Sequence, residues 1–463
     1  MPKTILIPIY NGMRARNFFH TDVYRELAGD PDLRLIIVVP SSKVAFYRSQ
    51  FPDPGVIFEA LDDIGETRLG EWLAAWAYNL LPTRTMRFRQ RTSYLKYGNY
   101  PKYLLKRLAN RLLGPLPVRS LIRALDRAIP EDANVAKLFM RHKPDLLLAP
   151  DIVFGVDRVF VRSARRRGVP SVGMVRSWDN LTSKGMIQLL PDRLIVHTTK
   201  MKLQAKRYAG MATRRIFVAG PPEYDHFFRP PTRTRAEFFR EIGVDPSRRL
   251  VLFAPFFDTY TGSAVRMINA LVDALENGEL PGNVQFVIRY RPATPEIDAA
   301  VLRVNDHITI TKPCTHYFPV TTKAMLATRD WEFTARDVEL LYHSLYFSEV
   351  VINTFSTLTI DAAALDKPVI GIRFDADPDC PALHSVKFVP DMHDHYRELE
   401  DARGVRLVCA MPELIAAIND YLEHPERDAE GRRRIRAEQI EFTDGQSGKR
   451  TARYIKNLVQ SIH

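Results

Sequence analysis

Apolar residues occur in short unbroken runs, separated by polar turns and by stretches with helical spacing. In the first half the runs at 4–10 (TILIPIY), 33–39, 145–149, 169–175, 193–197 and 215–219 read as strands. Most are continuously apolar, as strands buried on both faces of a parallel sheet must be. Residues 18–27, 70–80 and 153–167 carry helical periodicity between them. A Pro-rich polar break at 228–234 (FRPPTRT) follows, and then the alternation resumes. Strands are expected at 250–254, 284–290, 307–311, 350–353 and 368–373, and helices at 265–275, 337–346, 357–365 and 412–422. A final helix is expected near 448–462. Alternating β and α predicts an α/β protein with two doubly wound domains in tandem. The boundaries read as 1–228, 229–445 and a closing helix in 446–463.

A chain of 463 residues, 46% hydrophobic and 26% charged, is long enough for two or three domains of roughly 150 residues and excludes a disordered polymer. No apolar run approaches the roughly 18 residues of a membrane-spanning helix, and the opening run lacks a cleavage site, so it reads as a strand. Cys314, Cys380 and Cys409 are odd in number and widely spaced, which fits a reducing compartment and no metal or disulfide framework. A cytoplasmic location is expected.

Charge changes the picture in one place. The net charge is +12, and residues 84–127 hold twelve Lys or Arg against one acid, Asp126, a local +11. Tyr and Leu residues are interleaved with these cations. Within this insertion Lys102, Lys106, Arg107 and Arg111 flank Leu104, Leu105, Leu108 and Leu112, the pattern of a helix lying on an anionic membrane surface. Nucleic acid is not expected as a partner, because no nucleic-acid motif accompanies the patch, and a basic nucleic-acid-binding protein is kept only as the lesser alternative.

Candidate chemistry lies in loops that follow strands, where open α/β sheets place ligands. Residues 177–185 (SWDNLTSKG) offer Trp178, Asp179, Asn180 and Lys184 within nine positions. The first loop brings Asn11, Gly12 and Arg16, with Gly12 read as allowing close backbone approach and the next helix start as an anion site. His20 and Asp22 are placed on the first turn of that helix. In the second half, Ser356 and Thr357 precede a helix carrying Asp361, an arrangement suited to a diphosphate and a ribose. Arg289 and Arg291 end another strand, and their guanidinium groups suit phosphate oxygens. The Gly445–Lys449 segment (GQSGK) lacks P-loop spacing, and His393-Asp394-His395 has no third ligand at a familiar spacing, so no metal is expected.

SWDNLTSKG, then AGPPEYD at 219–225, NTFSTLTID at 353–361, DKPVIG at 366–371 and TDGQSGKR at 443–450 occur in an order that resembles the GT-B superfamily of nucleotide-sugar glycosyltransferases. The branch it is most similar to contains CDP-glycerol glycerophosphotransferases and UDP-N-acetylglucosamine 2-epimerase-like proteins. The resemblance implies GT-B architecture: two Rossmann-like domains facing a central cleft, with a C-terminal helix returning to the first domain. It places Ser356, Thr357 and Asp361 on the segment that holds the nucleotide diphosphate.

The expectation is therefore a metal-independent, inverting glycosyltransferase with no cofactor beyond its nucleotide-sugar donor. It is expected to act on a lipid-linked or cell-surface glycan acceptor, docked peripherally on the inner membrane face. Asp179 is the expected base, with His20 and Asp22 as alternates. Relatives in this branch carry a basic residue-His-Pro pattern where this chain has Arg289-Tyr290-Arg291-Pro292, which places sugar transfer first. A CDP-glycerol-type polyol-phosphate transferase and a UDP-sugar 2-epimerase are the alternatives on the same fold.

Overall fold

The computed structural model describes residues 2–462 except 115, 154, 256–261, 292–300, 314–315, 321–329, 355, 382–383 and 388–392. Cys314 lies outside these residues, and Cys380 and Cys409 are free thiols. The chain forms two compact units. Unit 1 comprises Met1–Asp225, His316–Phe333 and Glu441–His463; unit 2 comprises His226–Thr315 and Thr334–Ile440. The expected boundaries at 228/229 and 445/446 thus fall at 225/226 and 440/441. The segment at 316–333, expected in the second domain, belongs to the first.

Unit 1 is built on seven parallel strands: β1 (Lys3–Pro8), β2 (Leu33–Val39), β3 (Val56–Ala60), β4 (Leu146–Ala149), β5 (Ser171–Met174), β6 (Arg193–Val196) and β7 (Ile216–Val218). Their order is β3-β2-β1-β4-β5-β6-β7. Successive side chains enter opposite cores: Leu6, Ile36 and Leu147 pack in one, and Ile5, Ile7, Leu35 and Leu148 in the other. Period-two alternation with both faces covered is why these strands read as unbroken apolar runs.

Unit 2 repeats the plan with β8 (Arg249–Ala254), β9 (Val284–Arg289), β10 (Ile308–Thr311), β13 (Val350–Asn353), β14 (Val369–Ile372) and β15 (Arg406–Val408), in the order β10-β9-β8-β13-β14-β15. Each sheet winds outward from its first strand and then reverses, so the switch points lie beside β1/β4 and β8/β13. These crevices are where doubly wound sheets take ligands.

Two short strands, β11 (His316–Phe318) and β12 (Asp330–Glu332), form an antiparallel pair that the apolar pattern did not show. The Lys43 ammonium is fully buried and pairs with both Asp330 and Glu332, which fastens this segment to unit 1. The backbone passes so close that a Cβ on Gly12 would meet the Trp331 carbonyl oxygen at 2.0 Å. Gly12 is therefore required by protein packing, a correction to its expected role in ligand approach.

The last helix, Ser447–Gln460, belongs to unit 1 and packs on the helix Asp22–Ala28. The Asp225 carboxylate accepts from the Ser447 and Gly448 amides at 2.9 and 2.7 Å, so the GQSGK segment is a helix start held from within the protein. Phe217 stacks on Tyr454 with ring centroids 4.1 Å apart. Replacing Asp225 by Ala leaves two buried helix amides without acceptors and is expected to cost about 1–2 kcal/mol. Calorimetry reads this as a lowered Tm, and an Asp225→Asn variant, keeping one acceptor, should lie between.

Candidate functional site

In unit 1 the loops after β1, β4, β5, β6 and β7 share one edge of the sheet because the strands are parallel. At the β1/β4 switch point the buried Arg14 guanidinium bonds Asp151 at 3.3 Å and Asp157 at 3.0 Å. Arg176 reaches the same Asp151 oxygen at 2.8 Å. Burial pushes the Asp157 carboxyl up to about 6, against the pull of Arg14. None of these four residues stood out in the sequence, since single Arg and Asp residues, two in loops and two in the first turn of a helix, carry no spacing signal. Their shared feature, a place in the loops or first helical turns that follow β1, β4 and β5, is visible only once strand order is known.

Asn11 caps the helix Gly12–Phe19, accepting from the Arg14 amide at 3.0 Å. Arg16 bonds Asn17 at 3.0 Å and lies over the Phe333 ring. The expected single helix at 18–27 is two, broken at His20-Thr21. His20 ends the first helix, and its Nε2 lies 2.9 Å from the Phe333 carbonyl, so that nitrogen carries the proton and donates. Asp22 opens the second helix and accepts from Arg25 at 2.7 Å, its side chain almost fully buried. Both alternates to Asp179 are thus engaged structurally.

The loop after β5 holds the short helix Asn180–Ser183. The Asp179 carboxylate accepts from Ser183 Oγ at 2.6 Å and faces Lys184 Nζ at 3.8 Å. Burial pushes the Lys184 ammonium below its usual value, with Arg89 and Arg176 adding to the effect and Asp179 opposing it. Trp178 is buried instead of forming an open platform. Asn180 is fully buried, and its side-chain oxygen and nitrogen have no hydrogen-bond partner among the described residues. Around this loop, Asn17 Nδ2 donates to the Arg176 carbonyl at 3.2 Å and to Glu223 at 3.3 Å. His197, at the end of β6, is buried beside Glu223.

In unit 2 the segment after β13 lies at the switch point beside β8. Asn353 is the organiser: its Oδ1 accepts from the Ser356 amide at 3.2 Å and Thr359 Oγ1 at 3.1 Å. Its Nδ2 is buried with no partner among the described residues. Ser356 Oγ accepts from the Leu358 amide at 3.2 Å, whereas the Thr357 side chain makes no cap bond to the helix Leu358–Ala364. Asp361 is in the first turn of that helix and is buried. Arg289 closes β9 and is buried, and Arg291 lies past the strand and is exposed. Among the described residues no cluster of three His, Cys, Asp or Glu is arranged to hold a metal ion.

Two tandem sheets of this topology, with polar residues gathered at their switch points and a closing helix in unit 1, define a GT-B-type fold. The chain shares this fold with solved structures over nearly its whole length. S. aureus MnaA in complex with UDP aligns at TM-score 0.54 and 12% identity, over 99% of this chain and 97% of that one. UDP-GlcNAc 2-epimerase from Methanocaldococcus jannaschii aligns at 0.53 and 14%, over 99% and 100%. A glycosyltransferase from Rickettsia africae aligns at 0.52 and 10%, over 100% of each. No curated protein matches the chain by sequence. A family profile does match, over residues 179–457, and the chain belongs to the CDP-glycerol:poly(glycerophosphate) glycerophosphotransferase family.

Burial holds the His197 imidazole below its usual range, opposed by Glu223 and by its bond to the Val175 carbonyl. The unfolded chain therefore takes up this proton first. Stability is full above about pH 6.5 and falls as pH drops below it. Thermal melting from pH 8 to pH 5 should fall more steeply for the native protein than for His197→Gln, and parallel profiles would refute the assignment.

Proposed function

We propose that this protein transfers a polyol phosphate from a nucleotide-linked donor of the CDP-glycerol type to a hydroxyl of a phosphate-containing polymer. The observation that carries this reading is the family match. It begins at Asp179 and takes in the Asn353–Asp361 segment as well as the last helix. It raises the polyol-phosphate alternative above the sugar transfer that the residues alone placed first. The fold it shares with epimerases speaks for architecture and not for reaction.

The chemistry assigns separate tasks. The acceptor oxygen forms a bond to the phosphorus next to the polyol, the bond from that phosphorus to the nucleotide's phosphate oxygen breaks, and the nucleoside monophosphate leaves. The acceptor proton goes to Asp179, whose carboxylate is oriented by Ser183 and sits near Lys184. Arg289, Arg291 and the Ser356–Thr357 turn take the donor phosphates in unit 2, stabilising charge that builds on the leaving group. Asp361 is assigned to the ribose. Asn11, Arg16 and Asn180 are assigned to the acceptor side, Asn180 through a side-chain amide that has no partner among the described residues. No metal enters this scheme, so turnover is expected to survive EDTA.

Two measurements test it. CDP-glycerol and CMP should raise the Tm, and a ligand at 100 times its Kd adds about 2.7 kcal/mol of stability; silence for every cytidine nucleotide, with a response to UDP-sugars, would replace this donor. Asp179→Asn should lower kcat by about 10²–10⁴ with little change in Tm. Near-normal turnover would remove Asp179 as the base.

A further inference from the structure

The helices Arg84–Tyr97, Tyr100–Leu113 and Leu116–Ala128 pack over a small core of Leu73, Ala77, Leu81, Ala109 and Ile122 within unit 1. This group of helices is joined to the loop that carries Asp179. Thr83 Oγ1 donates to the Thr182 carbonyl at 2.9 Å, and Arg123 Nε donates to the Ile187 carbonyl at 3.0 Å. The Met186 amide donates to the Ala77 carbonyl at 3.4 Å. The stretch from Thr182 to Ile187 is thus bonded to the helices at three points, and whatever they hold is held beside the candidate base.

A groove of about 710 Å³ opens among these helices, and Arg87, Arg107, Arg111, Arg119 and Arg207 line it. They come from four separate elements, so the fold gathers this charge and no run of sequence does. Among the described residues no carboxylate pairs with any of the five. Arg119 is 2% exposed; it donates to the Tyr208 carbonyl, and its Nε has no hydrogen-bond partner among the described residues. Burial holds its guanidinium below the ordinary value. A desolvated cation without a counter-ion is costly unless an anion arrives from outside. Leu104, Arg107, Leu108 and Arg111 all line the groove from one helix, at i, i+3, i+4 and i+7, so charge and apolar contact alternate along it.

We propose that this groove holds the phosphodiester backbone of the acceptor polymer, the part of the chain that precedes its reacting hydroxyl. The arginines take successive phosphates, and Leu104 and Leu108 lie against the polyol carbons between them. Arg107 and Arg111 stand one helical turn apart, about 6 Å along the axis, within the span of an extended glycerol spacer between two phosphates. A single phosphate would engage one or two of the arginines and leave the others unneutralised. RNA would call for open aromatic platforms, whereas Tyr94, Tyr100 and Tyr103 pack on one another with centroids 5.4–6.1 Å apart. The inference rests on the transferase reading above for the kind of acceptor, and adds where the protein senses that the acceptor is a polymer.

Calorimetric binding of soluble, lipid-free poly(glycerol phosphate), with no donor present, tests it. Affinity should fall with salt, the logarithmic slope being about 0.7 per phosphate neutralised on a flexible polyanion. Changing the exposed Arg87, Arg107, Arg111 and Arg207 together to Gln should weaken binding at least about 10-fold and reduce that slope by about 3, with an unchanged Tm. Arg119→Gln should also weaken it, and Arg119→Lys, which keeps the charge, should recover most of the loss. In turnover, the native protein should show a lower KM for the polymer than for a single glycerol phosphate, and the fourfold variant should erase that difference at unchanged kcat. Absence of polymer binding, equal affinity in native and variant proteins, tighter binding of an RNA oligonucleotide of equal charge, or binding of phosphatidylglycerol vesicles alone would each overturn it. Polymer binding needs no donor and CMP release needs no groove, so either conclusion can fail while the other stands.

Discussion

Parallel strands can be joined only by a connection that travels back across a face of the sheet. That constraint covers both faces of both sheets and leaves polar chain free to gather at the strand ends. Everything with chemical potential in unit 1 follows from it: Asn11, Asp151, Arg176, Asp179, His197 and Glu223 lie just beyond the ends of β1, β4, β5, β6 and β7. The same rule puts Asn353, Ser356 and Arg289 at the ends of β13 and β9 in unit 2. The reversal of strand order then opens a crevice at β1/β4 and at β8/β13.

The polar interior at those edges is held by buried charge. Arg14 with Asp151 and Asp157, and Lys43 with Asp330 and Glu332, are almost wholly removed from water. Burying an ion costs several kcal/mol even after relaxation, and the mutual attraction roughly offsets it. Such clusters add little net stability but tolerate only one arrangement, because removing a single member strands the others. Around Asp179 the same principle appears at smaller scale, with a hydroxyl and a mostly buried ammonium beside one carboxylate.

Much of this architecture was legible in the residues because burial on two faces writes itself as unbroken apolar runs: 33–39 and 350–353 coincide with β2 and β13. β3, whose run VIFEA includes a glutamate, and the three-residue β11, β12 and β15 were not, since short or edge strands carry too few positions for a pattern. The loops bearing Asp179 and Ser356 were found from their place after a strand. Packing against distant segments leaves no local trace: Gly12 lies against the Trp331 carbonyl and Asp22 against Gly448 of the last helix, contacts that no spacing in the chain announces. Arg14, Lys43 and Asn353 act through partners that sequence spacing does not reveal. The half-exposed Leu104 and Leu108 share the helix Tyr100–Leu113 with Asn110, which bonds the Asn79 and Leu81 carbonyls and carries no distinguishing pattern in the sequence.

Unit 1 is assembled from three separate stretches of chain, and this has a consequence for how the protein is made. The first 225 residues emerge from the ribosome with a lysine destined for burial whose two counter-ions lie some 290 positions downstream. They also emerge with an aspartate shaped to receive a helix that begins 222 positions downstream. Until both arrive, the nascent sheet has an unneutralised Lys43 and a face beside Phe217 and the helix Asp22–Ala28 open to water. Completion of unit 1 therefore waits for segments that follow unit 2 residues in the chain, whereas the strands of unit 2 are all made before the helix Ser447–Gln460. Unit 2 can be native while its neighbour still waits, and chaperone dependence should concentrate on the amino-terminal sheet.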